Sequence, residues 1–275
     1  MKKSILITGC SSGIGYAAAH FLHNNGYEVF ATARKADDVK TLREEGFNAF
    51  QLDVTDTASI DSALAAVLEQ TGGTLYALFN NAGYGQPGAL EDVPAEALRE
   101  QFETNVIGLH EMTRRIIPVM RQQGYGRIIQ HSSVLGLISL RFRGAYNASK
   151  YAIEGLCDTL RLELDDTDIH VVTLNTGPIH SRFRDNATEK FLHYVDIDKS
   201  CFAKEYHEEV LARKAKKSEN DPFTKEPIEV IRKVVLALEK PQPKPRYYIT
   251  AATHLLGTFK RLLPTSWLDK ILLKV

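Results

Sequence analysis

A tyrosine and a lysine stand four positions apart in the segment Tyr146-Asn147-Ala148-Ser149-Lys150, which opens a stretch of helical period. Residues i and i+4 share one face of a helix, so the phenol and the ammonium are expected side by side. A charge about 4 Å from a phenol, at an effective dielectric constant of about 20, favours the phenolate by about 4 kcal/mol. We therefore expect the pKa of Tyr146 to fall from about 10 towards 7, so that the phenol can act as a general acid or base.

Further polar residues follow the ends of predicted strands. Asn80-Asn81-Ala82-Gly83 closes the fourth strand, Ser132-Ser133 the fifth and Asn175-Thr176-Gly177-Pro178 the sixth. Doubly wound folds bind their ligands at the carboxyl ends of parallel strands. We expect these residues to gather near Tyr146, whereas Asn105 belongs to a long predicted helix at 96–121.

A glycine-rich turn, Thr8-Gly9-Cys10-Ser11-Ser12-Gly13-Ile14-Gly15, separates the first predicted strand from the first helix. Glycines permit a tight turn and close approach of a pyrophosphate, and the helix N-terminus offers free N–H groups and positive potential. Gly13, Gly15 and Ala18 also match the G-x-G-x-x-A form of the dinucleotide fingerprint. The predicted cofactor contacts here are Gly9, Ser11, Ser12, Gly13, Ile14 and Gly15.

The end of the second predicted strand selects the cofactor. NAD sites in this type of fold place an acid there to bind the ribose 2′-hydroxyl, whereas this chain has Ala33 followed by Arg34 and Lys35. A guanidinium can grip a 2′-phosphate with paired hydrogen bonds. The sequence therefore favours NADP(H), with Arg34 as the recognition residue.

Short apolar runs alternate with helical segments along most of the chain, which predicts parallel β-α-β units. Such strands are buried on both faces, and right-handed crossovers make the sheet doubly wound. We predict one α/β domain over 1–275, with a mostly parallel sheet and helices on both faces. The predicted strands are 5–7, 29–31, 49–52, 75–79, 127–129, 170–174 and 247–249; the helices are 16–25, 36–45, 60–68, 96–121, 145–164 and 228–238.

Composition excludes several classes of protein. The 275 residues carry 34 basic and 34 acidic side chains, and this balance argues against a nucleic-acid binder held by phosphate contacts. Three cysteines without a C-x-x-C motif exclude a disulfide framework and a thiolate zinc site, so no metal is predicted. The apolar run Ile5-Leu6-Ile7 is too short for a signal peptide, which predicts a cytoplasmic protein.

Taken together, these motifs resemble the short-chain dehydrogenase/reductases, in their single-domain branch with a Rossmann-type sheet. The resemblance runs from about residue 2 to 179. It is carried by the T-G-x-x-x-G-x-G of Thr8 to Gly15, Asp53-Val54, Asn80-Asn81-Ala82-Gly83, Asn105, Ser133, and Tyr146 with Lys150.

The resemblance implies hydride transfer between NADPH and a carbonyl. Ser133 would hold the substrate carbonyl, Tyr146 would transfer the proton and Lys150 would bind the nicotinamide ribose. Asn105 would position a water that links Lys150 to solvent, which completes the catalytic set. The implied cofactor contacts are Asp53 at the adenine, Val54, Asn81 with Ala82 and Gly83 along the cofactor, Gly177, the backbone of Ile179 at the carboxamide, and Ser181 near the phosphates.

One departure from the family pattern falls after the sixth strand, where Pro-Gly is frequent in the family and this chain has Thr176-Gly177-Pro178-Ile179. We interpret it as variation within the family.

The substrate is less closely specified. Val29 to Arg34 and the long tail are similar to the hydroxysteroid and retinol dehydrogenase-like branch, which implies a bulky or apolar aldehyde, ketone or alcohol. We expect an aldehyde or carbonyl reductase; the alternative is a hydroxysteroid- or retinol-type alcohol dehydrogenase. A silent dinucleotide sensor is the rival of another class, and it is disfavoured because Asn105, Ser133, Tyr146 and Lys150 are all present.

Two segments lie outside the strand–helix pattern. The charged stretch 182–226 is expected to form a lid over the substrate. The tail at 253–275 is amphipathic, and from Ala251 onwards it has four cations and one acid. Packing near the pocket or against a second subunit of a homo-oligomer is favoured over contact with a membrane.

Overall fold

A seven-stranded sheet forms the centre of the protein, described here by a computed structural model that covers residues 3–211 and 224–275. The strand order is β3-β2-β1-β4-β5-β6-β7, and every neighbouring pair is parallel. The predicted doubly wound fold is therefore confirmed. The strands are β1 (Ser4–Ile7), β2 (Glu28–Ala33), β3 (Asn48–Gln51), β4 (Ala77–Asn80), β5 (Gly126–Ser133), β6 (Ile169–Thr176) and β7 (Arg246–Tyr248).

Helices cover both faces of the sheet and bury an apolar cluster on each. Successive strand residues alternate between the clusters, so Ile5 and Ile7 pack on one side and Leu6 on the other. The helices of this part are α1 (Gly13–Asn24), α2 (Ala36–Glu44), α3 (Thr57–Gln70), α4 (Ala95–Phe102), α5 (Leu109–Gln123) and α6 (Gly144–Glu163).

The helix predicted at 96–121 is divided. A π-helical segment, Glu103–Gly108, lies between α4 and α5 and contains Asn105. A Cβ on Gly108 would stand 2.5 Å from the carbonyl oxygen of Val54, so glycine allows this segment to approach the loop after β3. Such π-helical turns occur frequently at functional sites.

The chain after β6 forms short helices near the carboxyl ends of the strands. Helix α7 (Phe183–Tyr194) and α8 (Ala203–Glu205), which continues as the π-helical segment Tyr206–Leu211, fall within the predicted lid. Phe191 and Tyr206 anchor them in a small buried cluster. Residues 212–223 of that predicted lid lie outside the described residues.

Three further helices complete the described chain: α9 (Pro227–Glu239), which packs on α1, and α10 (Ala251–Leu262) and α11 (Thr265–Leu272) in the tail. Leu256 and Leu272 of the tail pack against a cluster that includes Tyr146. Within 3–211 and 224–275, no helix combines the length and the apolar character needed to cross a bilayer.

Candidate active site

A cavity of about 1880 Å³ opens at the carboxyl ends of the strands. Most of the residues predicted to catalyse or bind cofactor line it: Gly9, Ser11, Ser12, Gly13, Ile14, Arg34, Asp53, Val54, Asn81, Ala82, Gly83, Ser133, Tyr146, Lys150, Gly177 and Ile179. Gly15 and Asn105 are the two predicted residues that do not. The fold thus brings residues from 9 to 179 to one crevice, as expected for a topological switch point.

The glycine-rich turn has a backbone that only glycine adopts readily. Gly9 and Gly13 have φ of +74° and +62°. A Cβ on Gly15 would stand 2.3 Å from the carbonyl oxygen of Gly9 and 2.5 Å from Nδ2 of Asn81. Helix α1 begins here with no side-chain hydrogen bond from Ser12 and no acid in its first turn, so its N–H groups remain available to an anion. These features fit a dinucleotide pyrophosphate.

Thr8 links this turn by hydrogen bonds to the loop after β4. This role was not predicted from the sequence. Its hydroxyl oxygen accepts hydrogen bonds from the backbone N–H groups of Asn81 and Ala82, both at 2.9 Å. The loop after β4 is therefore held against the turn, and both line the same cavity.

Arg34 stands directly after β2 at the cofactor end of the cavity, together with Lys35 and Asp38. Its carbonyl oxygen accepts a hydrogen bond of 3.0 Å from Nε2 of Gln51, which fixes the backbone there. Asp53 accepts hydrogen bonds from the N–H and the hydroxyl of Thr55 at one oxygen, Oδ1.

Tyr146 and Lys150 lie on one face of α6, with Nζ of Lys150 5.5 Å from the centre of the Tyr146 ring. The electrostatics differ from the sequence expectation, because burial raises the pKa of Tyr146 to about 12 while a hydrogen bond with Ser133 lowers it. Burial also lowers the pKa of Lys150 to about 8, against the raising effect of Glu154. The expectation of a pKa near 7 was wrong because it left out the desolvation of both groups.

The Lys150 ammonium has a backbone partner. Nζ donates a hydrogen bond of 2.7 Å to the carbonyl oxygen of His131 on β5. The His131 ring lines the cavity between Asn81 and Thr176, and burial, with the charge of Lys150 added, lowers its pKa to about 3. His131 was not among the predicted site residues, because it lies beyond the predicted strand 127–129; a polar residue at the end of a buried strand was the available signal.

Asn105 is almost completely buried behind the cavity wall. Its side chain accepts from the N–H of Tyr84 and donates to the Tyr84 carbonyl oxygen, at 3.1 and 2.9 Å. It also donates to Oγ of Ser149 at 3.2 Å. Asn105 therefore connects the loop after β4 with α6, which carries Tyr146 and Lys150, and its part in a water relay stays a prediction.

Hydrogen bonds to the buried carboxylate of Glu154 hold α6 against the sheet. Glu154 accepts hydrogen bonds from Ser132, from Asn175 and from Nε of Arg246, the last at 2.9 Å. The helix that carries Tyr146 and Lys150 is thereby tied to three neighbouring strands, which fixes both side chains relative to Ser133.

The wall of the cavity beside Tyr146 is apolar, whereas the residues of α7 that line the cavity are largely polar or charged. Val134, Leu135 and Ile138 pack with Tyr146 and with Leu256 of the tail. The ring of Phe183, at the start of α7, stands edge-on to Tyr146 with 5.4 Å between centroids. Gly177 permits the tail to approach, because a Cβ there would stand 2.1 Å from Oγ1 of Thr250.

Comparison with known proteins agrees with this geometry. The family model described as short chain dehydrogenase matches residues 3–191. The uncharacterized oxidoreductase YbbO of Escherichia coli K12 is 41% identical over 272 residues, covering 99% of this chain and 94% of YbbO. The chain therefore belongs to the short-chain dehydrogenase/reductases, oxidoreductases that act on alcohol and carbonyl groups.

Two other relatives differ in cofactor. The NADPH-dependent 3-dehydrocapnine reductase of Ornithobacterium rhinotracheale is 31% identical over 278 residues, covering 98% of this chain and 95% of that protein. A short chain dehydrogenase/reductase from Burkholderia phymatum, solved in complex with NAD, has a TM-score of 0.77 and 26% identity, covering 95% of this chain and 92% of its own.

Proposed function

We propose that this protein is an NADP(H)-dependent reductase of bulky, largely apolar aldehydes or ketones. The observation that carries the proposal is the placement of Ser133, Tyr146 and Lys150 in the same cavity as an uncapped helix N-terminus behind a glycine-rich turn. A protein that only senses a dinucleotide has no need of this catalytic set.

Arg34 is the reason for choosing NADP(H). It occupies the position where an acid would select NAD, and it faces the cavity. The NADPH-dependent relative supports this choice, and the NAD-bound structure shows that the fold also accepts NAD.

Bound NADPH would supply the hydride, and the side chains would handle the proton and the developing charge. Ser133 accepts a hydrogen bond of 3.1 Å from the N–H of Leu135 and donates a long one of 3.4 Å to the carbonyl oxygen of Thr176. A substrate carbonyl oxygen would take the place of Thr176 as the acceptor of this proton. Tyr146 holds its proton at neutral pH because of its raised pKa and can deliver it to that oxygen. Lys150, charged below about pH 8, stabilises the phenolate left behind.

The substrate class follows from the wall opposite the catalytic groups. Val134, Leu135, Ile138 and Leu256 offer apolar contacts but few hydrogen-bond partners, so affinity for the substrate would come from burial of its apolar surface. Phe183 adds a ring beside Tyr146. Small, strongly hydrated carbonyl compounds would gain little from such a wall.

The test is NADPH oxidation, followed by absorbance, with aldehydes and ketones of increasing apolar bulk, and the Tyr146→Phe variant as matched control. We expect turnover to increase with apolar bulk. Tyr146→Phe should lose it by a factor of about 10²–10⁴, while its NADPH affinity, measured by fluorescence, stays unchanged. Equal turnover in the two proteins would remove Tyr146 from the mechanism.

Reverse assays with bulky alcohols and NADP⁺ separate the remaining alternatives. Turnover of alcohols with none of carbonyls would support an alcohol dehydrogenase. Cofactor binding without turnover in either direction would support a dinucleotide sensor.

A further inference from the structure

His131 makes hydrogen bonds to two neighbouring strand ends. Its Nδ1 lies 3.1 Å from Oδ1 of Asn81, which follows β4, and its Nε2 lies 3.2 Å from Oγ1 of Thr176, the last residue of β6. The ring therefore bridges the strands on either side of β5 at the edge where the cavity opens.

The partners determine which nitrogen carries the proton. Nδ2 of Asn81 donates to the carbonyl oxygens of Thr8 and Gly9, at 2.9 and 3.1 Å, so the orientation of the amide is fixed and its Oδ1 faces His131. An amide oxygen can only accept, so Nδ1 of His131 must be the donor. In the neutral ring, Nε2 is then an acceptor, and the hydroxyl of Thr176 has two acceptors within reach: Nε2 at 3.2 Å and the carbonyl oxygen of Ser132 at 3.3 Å.

We propose that His131 is a positioning residue for the dinucleotide: by holding Oδ1 of Asn81, it keeps the Asn81 amide fastened to the glycine-rich turn at Thr8 and Gly9. Thr176 in turn holds the ring, so the departure from the family pattern at residue 176 has a partner within the site. The inference rests on the proposed function, because the turn is positioned for a cofactor.

The two ring nitrogens can be tested separately. In His131→Asn, the side-chain amide can place a donor near the position of Nδ1 and so keep the bond to Asn81. His131→Gln places its amide near the position of Nε2, towards Thr176, and His131→Leu removes both bonds. Thr176→Val removes the bond to Nε2 alone. The readout is the dissociation constant of NADPH, measured by fluorescence without any substrate, with thermal unfolding measured in parallel.

We expect His131→Leu and His131→Gln to weaken NADPH binding about tenfold or more. His131→Asn and Thr176→Val should stay within about threefold of the parent. Rescue by asparagine identifies the bond to Asn81, because a purely structural role would follow the loss of thermal stability instead. The comparison of Gln with Asn remains decisive if the leucine variant does not fold.

Two results would overturn the inference: parental affinity in both His131→Leu and His131→Gln, or an asparagine variant as weak as the glutamine variant. Failure of the parent itself to bind NADPH or NADH is a different result, because it would remove the proposed function and this inference with it.

Discussion

The two sides of the cavity are built by different kinds of interaction. On the cofactor side, Thr8, Asn81 and His131 hold the backbone through directed hydrogen bonds around glycines with positive φ. On the substrate side, Leu256 and Leu272 of the tail pack on an apolar cluster around Tyr146. Hydrogen bonds specify a geometry to within tenths of an ångström, whereas apolar packing tolerates substitution if volume is kept.

This contrast predicts different consequences of substitution on the two sides. A change on the cofactor side should impair the reaction with every substrate alike, since all depend on the same dinucleotide. A change on the substrate side should separate one substrate from another while cofactor affinity stays constant. The following variants test this division, beginning with the largest effect.

Gly15→Ala should damage the cofactor side most. The new methyl group would stand 2.3 Å from the carbonyl oxygen of Gly9 and 2.5 Å from Nδ2 of Asn81, so the turn must move. We expect NADPH affinity to fall at least about 100-fold, measured by fluorescence titration. Gly155→Ala is the matched control, because nothing lies within 4 Å of a Cβ there; alanine should stabilise that helix by up to about 1 kcal/mol. Near-parental affinity in Gly15→Ala would refute this account of the turn.

Arg34→Ala tests cofactor choice on the same side. A charge-assisted contact with a 2′-phosphate is worth about 1.5–3 kcal/mol, so NADPH affinity should fall about 10- to 100-fold while NADH affinity changes by less than about threefold. Arg34→Lys keeps the charge but not the paired hydrogen bonds, so its NADPH affinity should lie between those of the parent and of Arg34→Ala. Equal losses for both cofactors would place Arg34 outside the 2′-phosphate site.

The buried Lys150 should make the stability of the protein depend on pH. The pKa of Lys150 is about 8 in the folded protein and 10.5 is its ordinary value, so between these pH values the unfolded chain holds more protons. Stability must then rise with pH, by about 2 kcal/mol from pH 7 to 9.5. Denaturant titrations without cofactor should show this rise in the parent, relative to Lys150→Met. Parallel curves for the two proteins would contradict the lowered pKa.

The same division explains what could be predicted from the sequence. The doubly wound parallel sheet could be predicted from alternating strand and helix patterns. The sites at Gly9 and Ser133 follow from motifs at strand ends, and Tyr146 with Lys150 from helical spacing. The π-helical turn at Asn105 and the low pKa of Lys150 depend on burial and on approach between distant segments, which a local pattern does not contain.

The apolar wall beside Tyr146 is the clearest feature that depends on contacts between distant segments. Leu255 and Leu256 are adjacent on an amphipathic helix, yet Leu255 remains 53% exposed while Leu256 packs in the cluster around Tyr146. The position of this helix depends on close approaches between distant segments, at Gly177 to Thr250 and at Gly257 to Tyr248 and Leu137. Both leucines line the cavity, so the sequence could predict an apolar helical face but not which leucine packs beside Tyr146.

Leu256→Ala is the change expected to have the smallest effect and the greatest selectivity. Loss of its apolar contact should raise KM about five- to tenfold for a bulky apolar ketone, or about 1 kcal/mol of binding. A small aldehyde and NADPH itself should be affected by less than about twofold. Leu262→Ala, at a side chain 74% exposed on the same helix, should leave all three unchanged. If Leu256→Ala instead weakened the binding of NADPH as much as that of the bulky ketone, packing on the substrate side would also determine the geometry of the cofactor site. The division between the two sides would then be wrong.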